Sequence, residues 1–197
     1  MSKVIDYYFT VQSPWSFFGL ERLRATAAKT GAKINYKACN LGAVFAVTGG
    51  LPVFKRSPQR LAYRMMELKR WKKRLNLDFN FEPAFFPLDD NHANKMIMAA
   101  VNAGQDVCDL CNALHRGVWC DELNMAEEGN LIAVASAAGY DGASLMETVA
   151  SGTLDEAYEA LTQEAIDANV FGAPTYVIEG ENFWGQDRVD FLEEKLA

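Results

Sequence analysis

The two ends of this chain constrain its fold more than anything between them. Residues 3–10, KVIDYYFT, are rich in β-branched and aromatic types and read as a strand. Ser13-Pro14 then joins a preferred helix N-cap to a preferred first helical residue. Phe17, Leu20, Leu23 and Ala27 follow at helical spacing, and Gly31 stands where the helix stops. Residues 33–38, KINYKA, alternate and read as a second strand, which completes a βαβ unit. Near the other end, Thr175–Ile178 reads as a strand, Gly180-Glu181 as a turn, residues 182–184 as a short strand and residues 186–196 as a closing helix. A ββα tail cannot cover its own sheet. It can complete a βαβ unit into a four-stranded α/β sandwich, with everything between the two as an insertion.

That insertion reads as helical. Residues 40–52, with Gly42, Gly49 and Gly50, look mostly like loop. Ser57-Pro58 repeats the capping signal, and Leu61, Met65, Leu68, Trp71 and Leu75 give an apolar stripe. Pro83 and Pro87 mark residues 79–87 as extended, and helices are expected at 91–103, 105–118, 130–138 and 142–150. Thr153 and Glu156 have the spacing of a capping box that opens a helix reaching Asn169. The expected division is a discontinuous domain of residues 1–41 and 168–197 around an all-helical insertion of residues 42–167.

Composition narrows the class. With 197 residues, 50% apolar and 23% charged, the chain matches a globular domain rather than a disordered, collagenous or coiled-coil one. No apolar run reaches the roughly 18–20 residues of a membrane span, and the first residues lack the pattern of a signal peptide, so a cytoplasmic protein that binds no membrane is expected. Residues 55–74 hold nine basic side chains against the single acid Glu67, a net +8, which leaves −15 on the rest of a chain whose formal total is −7. That balance argues against a nucleic-acid binder. The basic helix is either a solvated face or a means of attracting small anions.

Four cysteines are present, Cys39, Cys108, Cys111 and Cys120. Cys108-Asp-Leu-Cys111 has the spacing of a redox pair or half a metal site. A redox pair sits at a helix N-terminus, where the dipole favours the thiolate. Cys108 and Cys111 share helical spacing with Val107, Leu114, His115 and Val118, which places them inside a helix as buried core thiols, with no metal site.

Two places look functional. At the first strand–helix junction Ser13 puts a hydroxyl beside the unpaired N–H groups and partial positive charge of a helix N-terminus, which would favour an anion or thiolate. The plain alternative is a cap and nothing more. The second place is Val170-Phe-Gly-Ala-Pro174-Thr, ahead of a strand, where a proline opens the strand or forms a special turn.

Here the residues resemble a known family. Ser13-Pro14-Trp15-Ser16 is similar to the Cys-Pro-x-Cys position of DsbA-type thioredoxin-fold proteins with both cysteines replaced, and Gly172-Ala173-Pro174-Thr175 is similar to their cis-proline loop. DYYFTVQSPWSFFG, the 60–74 segment and FGAPTYVIEGENFWGQDRVDFLEEKL resemble 2-hydroxychromene-2-carboxylate isomerases and kappa-class glutathione transferases. The resemblance implies a thioredoxin-like α/β fold with a large helical insertion, a cleft between the two parts and glutathione as cofactor. It implies that Ser13 faces the glutathione thiol. Ala173, before Pro174, would pair its backbone with the cysteinyl part. Asp187, next to Gln186 at the start of the last helix, would meet the γ-glutamyl ammonium, and Arg60 would lie near a carboxylate. On the residues alone, Asp187 also reads as helix-dipole complementation and Arg60 as a solvated charge.

The implied activity is cis–trans isomerisation of a conjugated aromatic acid in aromatic compound catabolism, through reversible thiolate addition that frees a double bond to rotate. A kappa-type transferase or peroxidase, or a non-catalytic thioredoxin-fold binder, are the other readings. A homodimer is left open. One loop departs from the isomerase pattern: Ala46 stands where a lysine is usual, Gly50 where an asparagine is usual, and Val53 for a second proline. These truncations predict a wider, less polar pocket and a larger or less anionic substrate, unless Arg60 or Arg64 returns the charge.

Overall fold

The computed structural model describes residues 3–197. Strand β1 (Val4–Phe9), helix α1 (Pro14–Thr30) and strand β2 (Lys33–Ala38) are followed by helices α2 (Leu41–Thr48), α3 (Pro58–Leu75), α4 (Asn91–Asn102), α5 (Cys108–Trp119), α6 (Glu128–Ala137), α7 (Gly142–Ala150) and α8 (Asp155–Asp167). Strands β3 (Thr175–Ile178) and β4 (Glu181–Trp184), a 3-10 turn (Gln186–Arg188) and helix α9 (Val189–Leu196) close the fold. Among the described residues the strands form one sheet in the order β2-β1-β3-β4. β1 pairs parallel with β2 and antiparallel with β3, and β3 pairs antiparallel with β4. The tail thus completes the βαβ unit, as its inability to cover itself requires, in a thioredoxin-like arrangement.

β1 is the centre of the molecule because both of its edges are paired and both of its faces are covered. Tyr7 stands opposite Tyr36 on one side and Tyr176 on the other. Its ring stacks on Phe9 at 4.4 Å and on Tyr176 at 5.4 Å. One continuous core joins these residues to Leu23 of α1, Met96 of α4, Leu114 of α5 and Leu145 of α7, so the helical layer and the sheet share their buried surface. Gly19 lets α1 approach the tail closely: a Cβ there would lie 2.6 Å from the Tyr176 hydroxyl and 3.0 Å from Gln186 Cβ.

Three local expectations change. Residues 41–48 are helix rather than loop, because Asn40 caps them through a bond from the Ala43 N–H at 3.1 Å and Gly49 takes the left-handed turn that ends them. The capping box at Thr153 does not form: Leu154 occupies the cap of α8 without a side-chain bond, and the Thr153 hydroxyl is paired with Ser151 instead. Helix α5 begins at Cys108, later than expected, because the Asp106 carboxylate accepts the Cys108 N–H at 3.0 Å.

Candidate active site

Pro14 has no N–H to offer, and the cap is formed by its neighbour: Ser13 Oγ accepts the Ser16 N–H at 3.2 Å and the Ser13 carbonyl accepts the Phe17 N–H at 3.1 Å. Among the described residues the Trp15 N–H is left as the free donor of that helix end, beside the Ser13 hydroxyl. Ser13 also donates its own proton across the fold to the Ala173 carbonyl at 3.3 Å. That is long for an O–H···O bond, so the proton can turn toward a better acceptor at small cost. Ser16, in the fourth position of the motif, is fully buried, and its hydroxyl has no partner among the described residues. Two serines cannot form a disulfide.

The loop that meets Ser13 is held from the other side. The Ala173-Pro174 peptide is cis. The Pro174 carbonyl accepts the Gly185 N–H at 2.9 Å, which draws the start of the 3-10 turn to the proline. Arg22 of α1 fixes the next residue by donating to the Gln186 carbonyl at 2.7 Å and to its side-chain oxygen at 3.1 Å. Ser13, Ala173, Pro174 and Gln186 are therefore gathered by a connected set of bonds, and Asp187 follows Gln186 in the chain. They differ in what they can offer. Ala173 is half-buried and its N–H makes no bond among the described residues. Asp187 is exposed, with Arg188 at 3.2 Å. Gln186 is buried and its side-chain oxygen is taken by Arg22, so its side chain serves to tie the turn to α1.

Arg60 lies outside this set, exposed on the first turns of α3, where its N–H is capped by Ser57 Oγ at 3.4 Å. α3 reaches the site through α1: Arg22 also stacks over the Trp71 ring at 5.6 Å.

A polar brace behind Ser13 escaped the sequence reading. Asp90, buried ahead of α4, accepts the Gln12 N–H at 2.9 Å, the Gln12 side-chain amide at 3.0 Å and the Thr10 hydroxyl. Asn94 accepts the Val11 N–H at 3.1 Å and donates to Tyr158 at 3.1 Å. His115 of α5 donates through Nδ1 to the Val11 carbonyl at 2.8 Å, which leaves Nε2 as a buried acceptor without a partner. Residues 10–12 thus hang from two inserted helices and the residue before one of them, and Ser13 follows directly. Burial raises the Asp90 carboxyl against the pull of its three donors, and burial brings the His115 imidazole down to about 4, so it is neutral at pH 7.

Cys108 and Cys111 do sit in the first turn of a helix, which corrects their expected place in its interior. Their burial is as expected: both are in the core and desolvation raises both thiols above the ordinary range. A groove of about 830 Å³ opens beside β2, lined by Tyr36, Lys37, Met98, Cys108 and Leu161, and Ser13 is not part of its wall. The wide pocket expected at Gly50 is also corrected. The Phe45 ring fills that space, 2.1 Å from where a Cβ would stand.

The profile of the DSBA-like thioredoxin domain matches residues 4–197. The chain belongs to the DSBA-like thioredoxin family. Within it, this DSBA-like chain is 29% identical to the 2-hydroxychromene-2-carboxylate isomerase of Sphingobium xenophagum, over 100% of this chain and 99% of that one. It is 25% identical to glutathione S-transferase kappa 1 of Caenorhabditis elegans, over 98% of this chain and 90% of that one. A solved structure of a 2-hydroxychromene-2-carboxylate isomerase superposes with a TM-score of 0.85 at 27% identity, over 98% of this chain and 94% of that one.

Proposed function

We propose that this chain is a glutathione-dependent isomerase of the 2-hydroxychromene-2-carboxylate type, acting in the cytoplasm on a conjugated aromatic acid. The observation that carries the reading is the Ser13 hydroxyl at the N-terminus of α1, within 3.3 Å of the Ala173 carbonyl. A serine there favours a bound thiolate without competing to form a disulfide. The proposed division follows: residues 1–41 and 168–197 carry Ser13, Ala173 and Asp187, and the inserted residues 42–167 carry Arg60.

The residues present fit glutathione. The free Ala173 N–H and its carbonyl form the two-point edge that an extended peptide pairs with. The Asp187 carboxylate has the charge for an ammonium group and Arg60 has the charge for a carboxylate. When bound, glutathione supplies a thiol whose ordinary pKa lies near 8.5, so little of it is ionised at neutral pH. Ser13 would favour the ionised form of that thiol by turning its proton from the Ala173 carbonyl toward the sulfur. The Trp15 N–H and the helix end add partial positive charge at the same point. The brace from Asp90, Asn94 and His115 holds the backbone ahead of Ser13, so the hydroxyl is aimed before any ligand arrives.

A second reading, a kappa-type transferase, is supported by the similarity to the Caenorhabditis elegans protein. Turnover separates the readings. An isomerase converts 2-hydroxychromene-2-carboxylate with catalytic glutathione and returns it unchanged. A transferase consumes one glutathione per product, and a binder does neither. An absence of glutathione-dependent conversion would sink the isomerase reading.

A further inference from the structure

Arg64 of α3 is a cation without an anion. It is half-buried, one of its terminal guanidinium nitrogens is fully buried without a hydrogen-bond partner, and it forms no ion pair among the described residues. The nearest acid along the helix, Glu67, is engaged by Arg70. The charge that acts on Arg64 is a second cation, Arg56, itself half-buried and held by a bond from its Nε to the Leu51 carbonyl at 2.8 Å. Burial and the Arg56 charge together bring the Arg64 guanidinium down to about 10, still charged at neutral pH. The compensation among the described residues is the Phe86 ring, over which the guanidinium sits at 5.7 Å. A cation over a ring recovers only part of what desolvation costs. Two half-buried arginines within electrostatic reach of each other, neither in an ion pair among the described residues, are a place that an anion would complete.

The place fits the chemistry already proposed. Phe86 opens a short segment that ends at Asp90, the carboxylate that holds Gln12 beside Ser13. Phe86 also packs on Trp119 at 4.8 Å, Trp119 stacks on Phe79 at 5.1 Å and Phe79 meets Phe18 of α1 at 4.8 Å, so a row of core rings ties the Arg64 region to α1. Ala46, in the loop of the resembled isomerases that carries a lysine, cannot supply a charge.

We propose that Arg64, backed by Arg56, seats the carboxylate of the conjugated aromatic substrate and sets this protein's preference for an acid; this rests on the function proposed above. Arg64 is a fork of planar donors whose charge suits a carboxylate, and the half-buried Phe86 beneath it gives that charge an apolar surround.

The test uses trans-cinnamate and its neutral amide, cinnamamide, as unreactive probes, titrated calorimetrically into the whole protein without glutathione. Wild type is expected to bind cinnamate at least tenfold more tightly than cinnamamide. Arg64→Met, which keeps the apolar stem, should bring the ratio below twofold, and Arg64→Lys should keep part of it. Arg56→Gln should lower the ratio severalfold, and it decides the matter if Arg64→Met does not fold. A wild-type ratio below twofold, or an unchanged ratio in the folded variants, overturns the proposal. Glutathione affinity is measured in parallel and is expected to hold within twofold. If it falls as far as cinnamate affinity does, the pair serves a glutathione carboxylate and the assignment to the aromatic acid is overturned. Isomerase turnover is a separate reading. Lost turnover with intact discrimination removes the isomerase, and intact turnover without discrimination removes the carboxylate seat alone.

Discussion

Ser13 and Ala173, 160 residues apart in the chain, meet through one long hydrogen bond of 3.3 Å between hydroxyl and carbonyl. Ser13→Ala is expected to keep the fold, because the cap it loses is one bond among many, and to keep most glutathione affinity. The bond from the hydroxyl to a charged sulfur is worth roughly 1.5–3 kcal/mol. Turnover should therefore fall by about ten- to a hundredfold. The thiol pKa of bound glutathione, followed by thiolate absorbance, should rise in the variant. An unchanged rate and an unchanged thiol pKa would take Ser13 out of the chemistry.

The buried imidazole predicts acid lability. His115 titrates near 4 in the fold and at its ordinary 6.5 once unfolded, so the native state binds fewer protons between those values. Its contribution is fully present above pH 6.5 and is lost as pH falls toward 4, about 3 kcal/mol in all. The raised carboxyl of Asp90 acts in the opposite sense, so the difference between wild type and His115→Gln isolates the imidazole. Denaturant unfolding at pH 7 and pH 4.5 should show a smaller acid loss in His115→Gln. Equal losses would show that the imidazole is not the acid-sensitive group.

Cys108 and Cys111 are packed thiols, and replacing both with Ala should lower stability by about 1–3 kcal/mol. Turnover of the folded double variant should match wild type. If turnover disappears while circular dichroism and unfolding remain cooperative, the pair has a chemical role.

Gly19→Ala is expected to destabilise, against the rule for helices. In an exposed helix that change gains about 1 kcal/mol. Here the new methyl would stand 2.6 Å from the Tyr176 hydroxyl and 3.0 Å from Gln186 Cβ, both packed into the core. Overpacking of this kind costs about 1–3 kcal/mol. The melting temperature of Gly19→Ala should fall, and KM for glutathione should rise because the turn before Asp187 is pushed away from α1. A raised melting temperature would mean that the helix yields at no cost.

How far the fold could be read in advance follows from the range of each signal. Ser13-Pro14 and Ser57-Pro58 are local, and both caps formed where expected. The Asn40 cap is just as local, but three nearby glycines masked it. The pairing of Ser13 with the Ala173 loop depended on resemblance, since no local rule joins positions that far apart. Asp90 and Asn94 carried no pattern, and His115 showed only the helical spacing of a buried stripe. Each is an ordinary residue in its own helix or loop, and its meaning comes from the backbone of residues 10–12 that it meets in space. Arg64 was visible as one charge among nine, and only its burial without a counter-charge sets it apart.

The strand order has a consequence for synthesis. β1 is made first yet lies inside the sheet, between β2 and β3. A growing chain can pair β1 with β2 early, but the other edge of β1 stays open until residues 175–178 have left the ribosome. Through most of translation a tyrosine-rich strand edge is therefore exposed to neighbouring chains. The Ser13 hydroxyl meets its partner loop only at the end of the same process. Any chain stopped short of Ala173 would lack the loop that Ser13 meets and would keep an unclosed sheet, so that pairing and protection from aggregation arrive together.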